Sequence, residues 1–236
     1  MRNIILTLLT ACCMNLTQAG VSIDGTRIIF PASSTSVGVQ VRNEFSTPAL
    51  VQTWIDNGNM NEIPPAEEIP FVISPPLSRV EPHQGQIIRV IQSGSPELPE
   101  DRESLFWFNL LDVPPDNPNF STQNLLSFTV RTRIKMFYRP AKLKMSINEA
   151  YNQIRFKYLN DEQKLEVNNP TPYYITYNKI AVDQNKHLTP VEHGGMIPPF
   201  SSTVFALKGR TAPASKVSWV IVNDYGGYQQ GESVLE

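Results

Sequence analysis

His187, Glu192 and His193 are the residues whose types could hold a transition metal, since two imidazoles and a carboxylate can furnish three ligands of a zinc site. They lie in a Pro- and Gly-bounded stretch without helical i, i+4 spacing, which reads better as a loop of solvated polar residues. Glu67-Glu68 could share acid–base work, yet adjacent residues of an extended chain point to opposite sides. The sequence has no G-x-S-x-G elbow, no phosphate loop, no G-x-G-x-x-G and no H-E-x-x-H, so hydrolase, nucleotide and zinc chemistry have no signature. No catalytic residue, metal or cofactor is expected.

A different chemistry is written between Asn124 and Pro140. Strict alternation puts Leu126, Phe128, Val130, Thr132, Ile134 and Met136 on one face and Ser127, Thr129, Arg131, Arg133 and Lys135 on the other. One reading is a last strand packing its apolar face on its own core. The other is that part of this strand is an exposed edge, a feature proteins suppress unless they use it for pairing.

The elements that must position such a strand follow from composition and periodicity. The chain has 236 residues, 41% hydrophobic and 18% charged with a net charge of −2, enough apolar material for a core and no basic footprint for nucleic acid. Twenty Pro against twelve Gly punctuate the chain too often for long helices, which points to an all-β protein. Residues 1–19 read as a secretory signal. Arg2 is followed by an apolar run from Ile4 to Met14, and Thr17-Gln18-Ala19 offers a cleavage site before Gly20. Leu9-Thr10-Ala11-Cys12 resembles a lipoprotein box, but cleavage there would leave a signal shorter than the usual length of about 15–30 residues. Removal of residues 1–19 also removes Cys12 and Cys13, so the mature chain has no disulfide, thiol nucleophile or thiolate ligand. No later apolar run is long enough to span a bilayer.

Period-two runs between turn signals are expected as strands at Val21 to Phe30, Val37 to Arg42, Leu50 to Ile55, Phe71 to Ile73, Gln86 to Ile91, Leu105 to Val113 and Leu125 to Tyr138. Seven strands suit one immunoglobulin-like sandwich. A second set follows at Ile154 to Leu159, Lys164 to Val167, Tyr173 to Val182, Thr203 to Leu207 and Val217 to Val222. The charged Pro99 to Glu103 stretch reads as a turn before an aromatic-rich strand rather than as a helix. These runs place domains at 20–141 and 142–236.

Leu98 to Pro114, reading LPEDRESLFWFNLLDVP, resembles the signature of the periplasmic pilus-assembly chaperones, the PapD-like family of the chaperone–usher pathway. Val21 to Arg27, Arg131 to Pro140, Asn168 to Tyr174 and Asn223 to Gly227 resemble the same family, so the likeness spans nearly the whole mature chain. It implies two immunoglobulin-like β-sandwich domains in a boomerang, with a cleft that receives the C-terminus of a pilus subunit. By that resemblance Arg27 and Lys135 would hold the subunit's terminal carboxylate, and Leu126, Phe128 and Val130 would be inserted into the subunit's groove. Glu103, Arg139 and Asp224 would form an ionic network between the domains. Simple alternation sets Lys135 on the face opposite Phe128, so a bulge or strong twist is expected to bring it to the cleft. The short segment Pro115 to Gln123 between the last two strands places the chain in the short-loop class, although its acidic balance departs from the basic one common in the family.

The function so implied is ATP-independent chaperoning of pilus subunits in the periplasm and their delivery to an outer-membrane usher, without nucleic acid or stable membrane insertion. Two other readings remain beside it. A pilus subunit or adhesin would carry one cysteine-stapled incomplete domain, whereas this mature chain has two domains and no cysteine. An enzyme or carbohydrate-binding module on a sandwich would need paired carboxylates or a metal in a cleft.

Overall fold

The computed structural model describes residues 20–113, 129–159, 163–184, 187–209 and 216–236. Among the described residues, nine strands make the N-terminal part: β1 (Val21–Ile23), β2 (Arg27–Pro31), β3 (Ser36–Asn43), β4 (Ala49–Asp56), β5 (Phe71–Ser74), β6 (Leu77–Val80), β7 (Gly85–Gln92), β8 (Ser104–Val113) and β9 (Val130–Arg139). They form two sheets in the orders β1-β3-β7-β5 and β2-β9-β8-β4-β6, all antiparallel except β2, which runs parallel to β9. Alternation does the folding work. Phe106, Phe108 and Leu110 of β8 and Met136 of β9 face inward onto Phe30, Val41 and Ile88, while Trp107, Asn109 and Lys135 face out. The rings of Phe30, Phe71 and Phe106 meet at 5.0 and 5.1 Å in tilted and edge-on pairs.

The C-terminal part begins with the short helix α1 (Ile147–Tyr151), then β10 (Arg155–Leu159), β11 (Lys164–Asn169), β12 (Ile175–Gln184), β13 (His187–Pro190), β14 (Met196–Ile197), β15 (Ser201–Ala206), β16 (Lys216–Val222) and β17 (Tyr228–Val234). A sheet ordered β10-β11-β15 packs on one ordered β13-β12-β16-β17, with β14 also paired to β12. Phe156, Leu165, Ile175, Ile180, Ile197 and Ile221 fill this second core. Both halves are therefore all-β sandwiches, as expected from the strand count.

Three expectations need correction. The run Val21 to Phe30 is not one strand: β1 pairs with β3 in one sheet and β2 with β9 in the other. Gly25, at φ +110°, lets the chain turn between them, so one sequence run changes sheets. The pattern also shows no helix, yet Ser146 and Glu149 form a capping box in which Ser146 Oγ accepts from Glu149 N and Glu149 accepts from Ser146 N at 2.7 Å. Finally, β9 runs from Val130 to Tyr138 in unbroken register with β8, so no bulge brings Lys135 to the second domain. None is needed, because the C-terminal sandwich lies against the outward face of β9, on which Lys135 already stands. Strands β6, β13, β14 and β17 are also absent from the sequence reading, being short or mostly polar.

Candidate functional site

The N- and C-terminal sandwiches meet at the start of β8 and the end of β9. Glu103, 3% exposed, accepts from Arg139 Nε at 2.7 Å and from the Tyr174 main chain at 2.8 Å, while its own N–H donates to Pro172 O. Arg139 turns its other two nitrogens to Asp224, at 2.7 and 3.0 Å, in a bidentate pair. Burial pushes the Glu103 carboxyl up against the pull of Arg139. Burial likewise opposes the charge of Arg139, but its hydrogen bonds to Asp224 and the field of Glu103 hold it above its usual value. The loop that carries Tyr174 is itself fixed. Asn169, fully buried, donates to Tyr173 O and Pro198 O at 2.7 and 2.9 Å and accepts from Thr171 N at 3.0 Å.

Two steps along β9, Lys135 is the ladder partner of both Trp107 on β8 and Arg27 on β2, so three strands set Trp107, Lys135 and Arg27 in one row. Directly opposed side chains of neighbouring strands share a face and approach within about 5 Å. Arg27 donates through Nη1 to Val222 O of the C-terminal sandwich at 2.8 Å, and its Nε is buried without an acceptor among the described residues. Its guanidinium also lies 5.7 Å from the Phe137 ring centre, and Phe137 packs on Tyr174. Lys135 Nζ donates to Thr176 Oγ1 at a long 3.5 Å and lies 5.8 Å from the centre of the Trp107 ring. Burial first, and the charge of Arg27 second, push the Lys135 ammonium down to about 8. Among the described residues no carboxylate pairs with Lys135. Two cations held side by side, part-buried and short of acceptors, make a site for an anion.

The outward face carries a second arrangement that the alternation pattern did not single out. Asp56 of β4 is fully buried and accepts from Asn109 at 2.8 Å, Gly58 N at 2.8 Å and Arg133 Nε at 2.9 Å. Burial works against its charge, yet the hydrogen bonds from Arg133 and Asn109 hold its carboxyl below the usual range. Arg133 then stacks 3.9 Å from the Trp107 ring centre, and Arg131 bridges Asn109 and the Trp54 ring. Asp56 thus absorbs Arg133 and leaves Lys135 and Arg27 without an ion pair among the described residues. The signal available in sequence was Trp107 and Asn109 alternating outward on an aromatic strand; the pairing with Asp56 was not.

The lane beside β9 is only half filled. β2 covers Lys135 to Arg139, so Val130 to Ile134 pairs with β8 on one side and, among the described residues, with nothing on the other. Val130 is 55% exposed at the start of this edge. Leu126 and Phe128 lie outside the described residues, as do Pro115 to Gln123. His187 sits in β13 with Glu192 and His193 beyond it, and no metal-holding group forms among the described residues.

At the junction Gly226 adopts φ +79°, and a Cβ there would lie 2.5 Å from Thr26 Oγ1, next to Arg27. Gly226→Ala is expected to cost about 1–2 kcal/mol from the left-handed backbone alone and to press the sandwiches apart. A thermal melt measures it; an unchanged melting temperature would show that the turn relaxes freely.

Two immunoglobulin-like sandwiches are thus joined by a part-buried ionic network, and a cationic row stands at the end of a half-covered strand. The chain belongs to the PapD family of pilus-assembly chaperones: residues 20–144 match the family described as pili and flagellar-assembly chaperone, PapD N-terminal domain, and residues 149–233 match pili assembly chaperone PapD, C-terminal domain. The chaperone protein HifB of Haemophilus influenzae is 44% identical over 96% of this chain and 92% of its own. The crystal structure of the YadV chaperone superposes with a TM-score of 0.79 at 37% identity, covering 92% of this chain and all of that one. The SafB chaperone of Salmonella enterica, solved in complex with the SafA pilin, superposes with a TM-score of 0.77 at 27% identity, over 93% of this chain and 98% of that one. The family's work is chaperoning in pilus assembly, not enzymatic catalysis. No helix among the described residues is long and apolar enough to cross a membrane.

Proposed function

We propose that this chaperone captures a pilus subunit by taking the subunit's last strand onto the free edge of β9, with the terminal carboxylate on Arg27 and Lys135. The observation that carries the reading is the register. β2 begins at Arg27, directly across from Lys135, so a strand added beside Val130 to Ile134 occupies the lane of β2 and ends against Arg27. A strand whose carboxyl end arrives there must run parallel to β9. Main-chain hydrogen bonds along the edge supply affinity, and alternate side chains supply specificity.

Leu126, Phe128 and Val130 are the donor residues in this reading. The face that packs the core at Met136 projects past the core at Val130 and becomes available to the subunit. Glu103, Arg139 and Asp224 hold the angle between domains 20–141 and 142–236. The chain works in the periplasm after cleavage of residues 1–19 before Gly20, without ATP, and passes its subunit to an outer-membrane usher.

Val130→Glu and Phe128→Glu test the donor strand. Each removes an apolar contact of up to about 1.5–3 kcal/mol and places a charge in an apolar groove. Subunit recovered by pull-down from periplasm is expected to fall at least about tenfold, while circular dichroism melts stay near wild type. A grossly unfolded Phe128→Glu would mean that this side chain packs the chaperone's own core.

A further inference from the structure

Asp112 lies on the core-facing side of β8, at the far end from the ionic network, and is 7% exposed. Its Oδ1 is buried without a hydrogen-bond partner among the described residues. Burial pushes its carboxyl up, and the main-chain N–H of Val21, which donates to it, works the other way. A carboxylate on the core side with no cation acting on it is costly, and a positive charge set against either of its oxygens lowers that cost. Arg42, on β3 beside β1, is already paired with Glu44 at 3.2 Å.

Gly20 stands against the same carboxylate. A Cβ added there would lie 2.8 Å from Asp112 Oδ2 and 3.3 Å from the Phe45 ring. Residue 20 is held in place, because its carbonyl accepts from Glu44 N at 3.4 Å and Val21 pairs with Asn43 across β1 and β3.

We propose that Asp112 is the docking site for the α-ammonium group created by cleavage before Gly20, so that maturation completes an ion pair which the precursor cannot make. The proposal rests on the cleavage site read from the sequence. The geometry is that of a single bond rotation. The substituents on the Gly20 Cα are related by turns of about 120° around the Cα–C bond. Once no residue precedes it, the nitrogen can swing into the position that lies 2.8 Å from Oδ2, leaving the carbonyl and its hydrogen bond where they are. That is the length of a charge-assisted N–H···O bond, and a free α-amino group is mostly protonated at neutral pH. An amide nitrogen tied to residue 19 has no charge, and the turn would drag the preceding chain with it. Glycine suits the position because any other side chain would compete for the same space.

The test compares four exported proteins whose first residue is verified by intact mass: wild type starting at Gly20, a form whose cleavage site is moved to retain Ala19, Asp112→Asn, and the two changes combined. Retaining Ala19 is expected to lower the melting temperature of the wild-type chain and to leave that of Asp112→Asn unchanged. The same loss in both backgrounds, or no loss in wild type, would overturn the ion pair. A second readout needs no substitution: the Gly20 amine should be acylated several-fold more slowly than the Ala19 amine, and equal rates would overturn it as well. If export yields a different first residue, the cleavage reading fails by itself. A Gly20 start released by a site-specific protease then still decides the ion pair by the same melts.

Discussion

Lys135→Ala is expected to leave the chaperone folded and to release its subunit. Truncating one side of a part-buried, hydrogen-bonded charge pair costs about 2–5 kcal/mol, which is roughly 30-fold to several-thousand-fold in affinity and falls mainly on dissociation. The free chaperone gives up little. With its ammonium pushed down to about 8 by burial and by Arg27, Lys135 is a group whose charged form the fold disfavours. The sign follows from that shift: this group opposes folding below pH 8, and the opposition fades as the pH rises toward the unfolded value near 10.4. Removing it therefore has no electrostatic cost to stability at neutral pH. Capture should show the reverse dependence. A carboxylate favours the protonated lysine, so wild-type binding is full below pH 8 and weakens as the pH rises through it, while Lys135→Ala binds weakly and evenly across that window. Dissociation rates from pH 7 to 9 measure both effects, and a folded Lys135→Ala that retains subunit as well as wild type would remove Lys135 from the site.

Arg139→Ala should do the opposite and strike stability first. Arg139 is the common partner of Glu103 and Asp224, and without it Glu103 keeps only the Tyr174 N–H while staying buried. Breaking a buried pair from one side costs about 3–5 kcal/mol, because the remaining charge is left uncompensated. In a chain of this size that is on the order of 10 °C in melting temperature. Arg42→Ala is the control, since Arg42 pairs with Glu44 at an exposed surface where such pairs contribute little. Equal melting temperatures for the two variants would show that the network carries no buried charge. Because the three partners come from both sandwiches, scattering from Arg139→Ala should also report a broader range of domain angles.

Much of this protein is readable residue by residue. Alternation along Leu105 to Val113 and Val130 to Tyr138 determines two-faced strands, because a pleated chain cannot bury successive side chains on one side. Twenty prolines against twelve glycines point to an all-β chain, and Ser146 with Glu149 carried a capping signal for α1 that the strand pattern obscured. What periodicity cannot specify is which strand lies beside which. That Arg27 stands across from Lys135, that Trp107 completes the row, and that Asp56 neutralises Arg133 but not Lys135 are matters of register between segments up to about a hundred residues apart. The turn at Gly25 that sends β1 and β2 to different sheets belongs to the same class, because a local sequence run holds no information about its distant partners. So does the face of Lys135. The strand pattern placed it opposite Val130 and suggested a bulge or strong twist, whereas the second sandwich packs on that outer face, so one regular strand serves a core, a free edge and a cationic row at once. Side-chain direction is set by the local backbone, but what meets the side chain is set by the packing of whole sheets, and only the tertiary structure decides that.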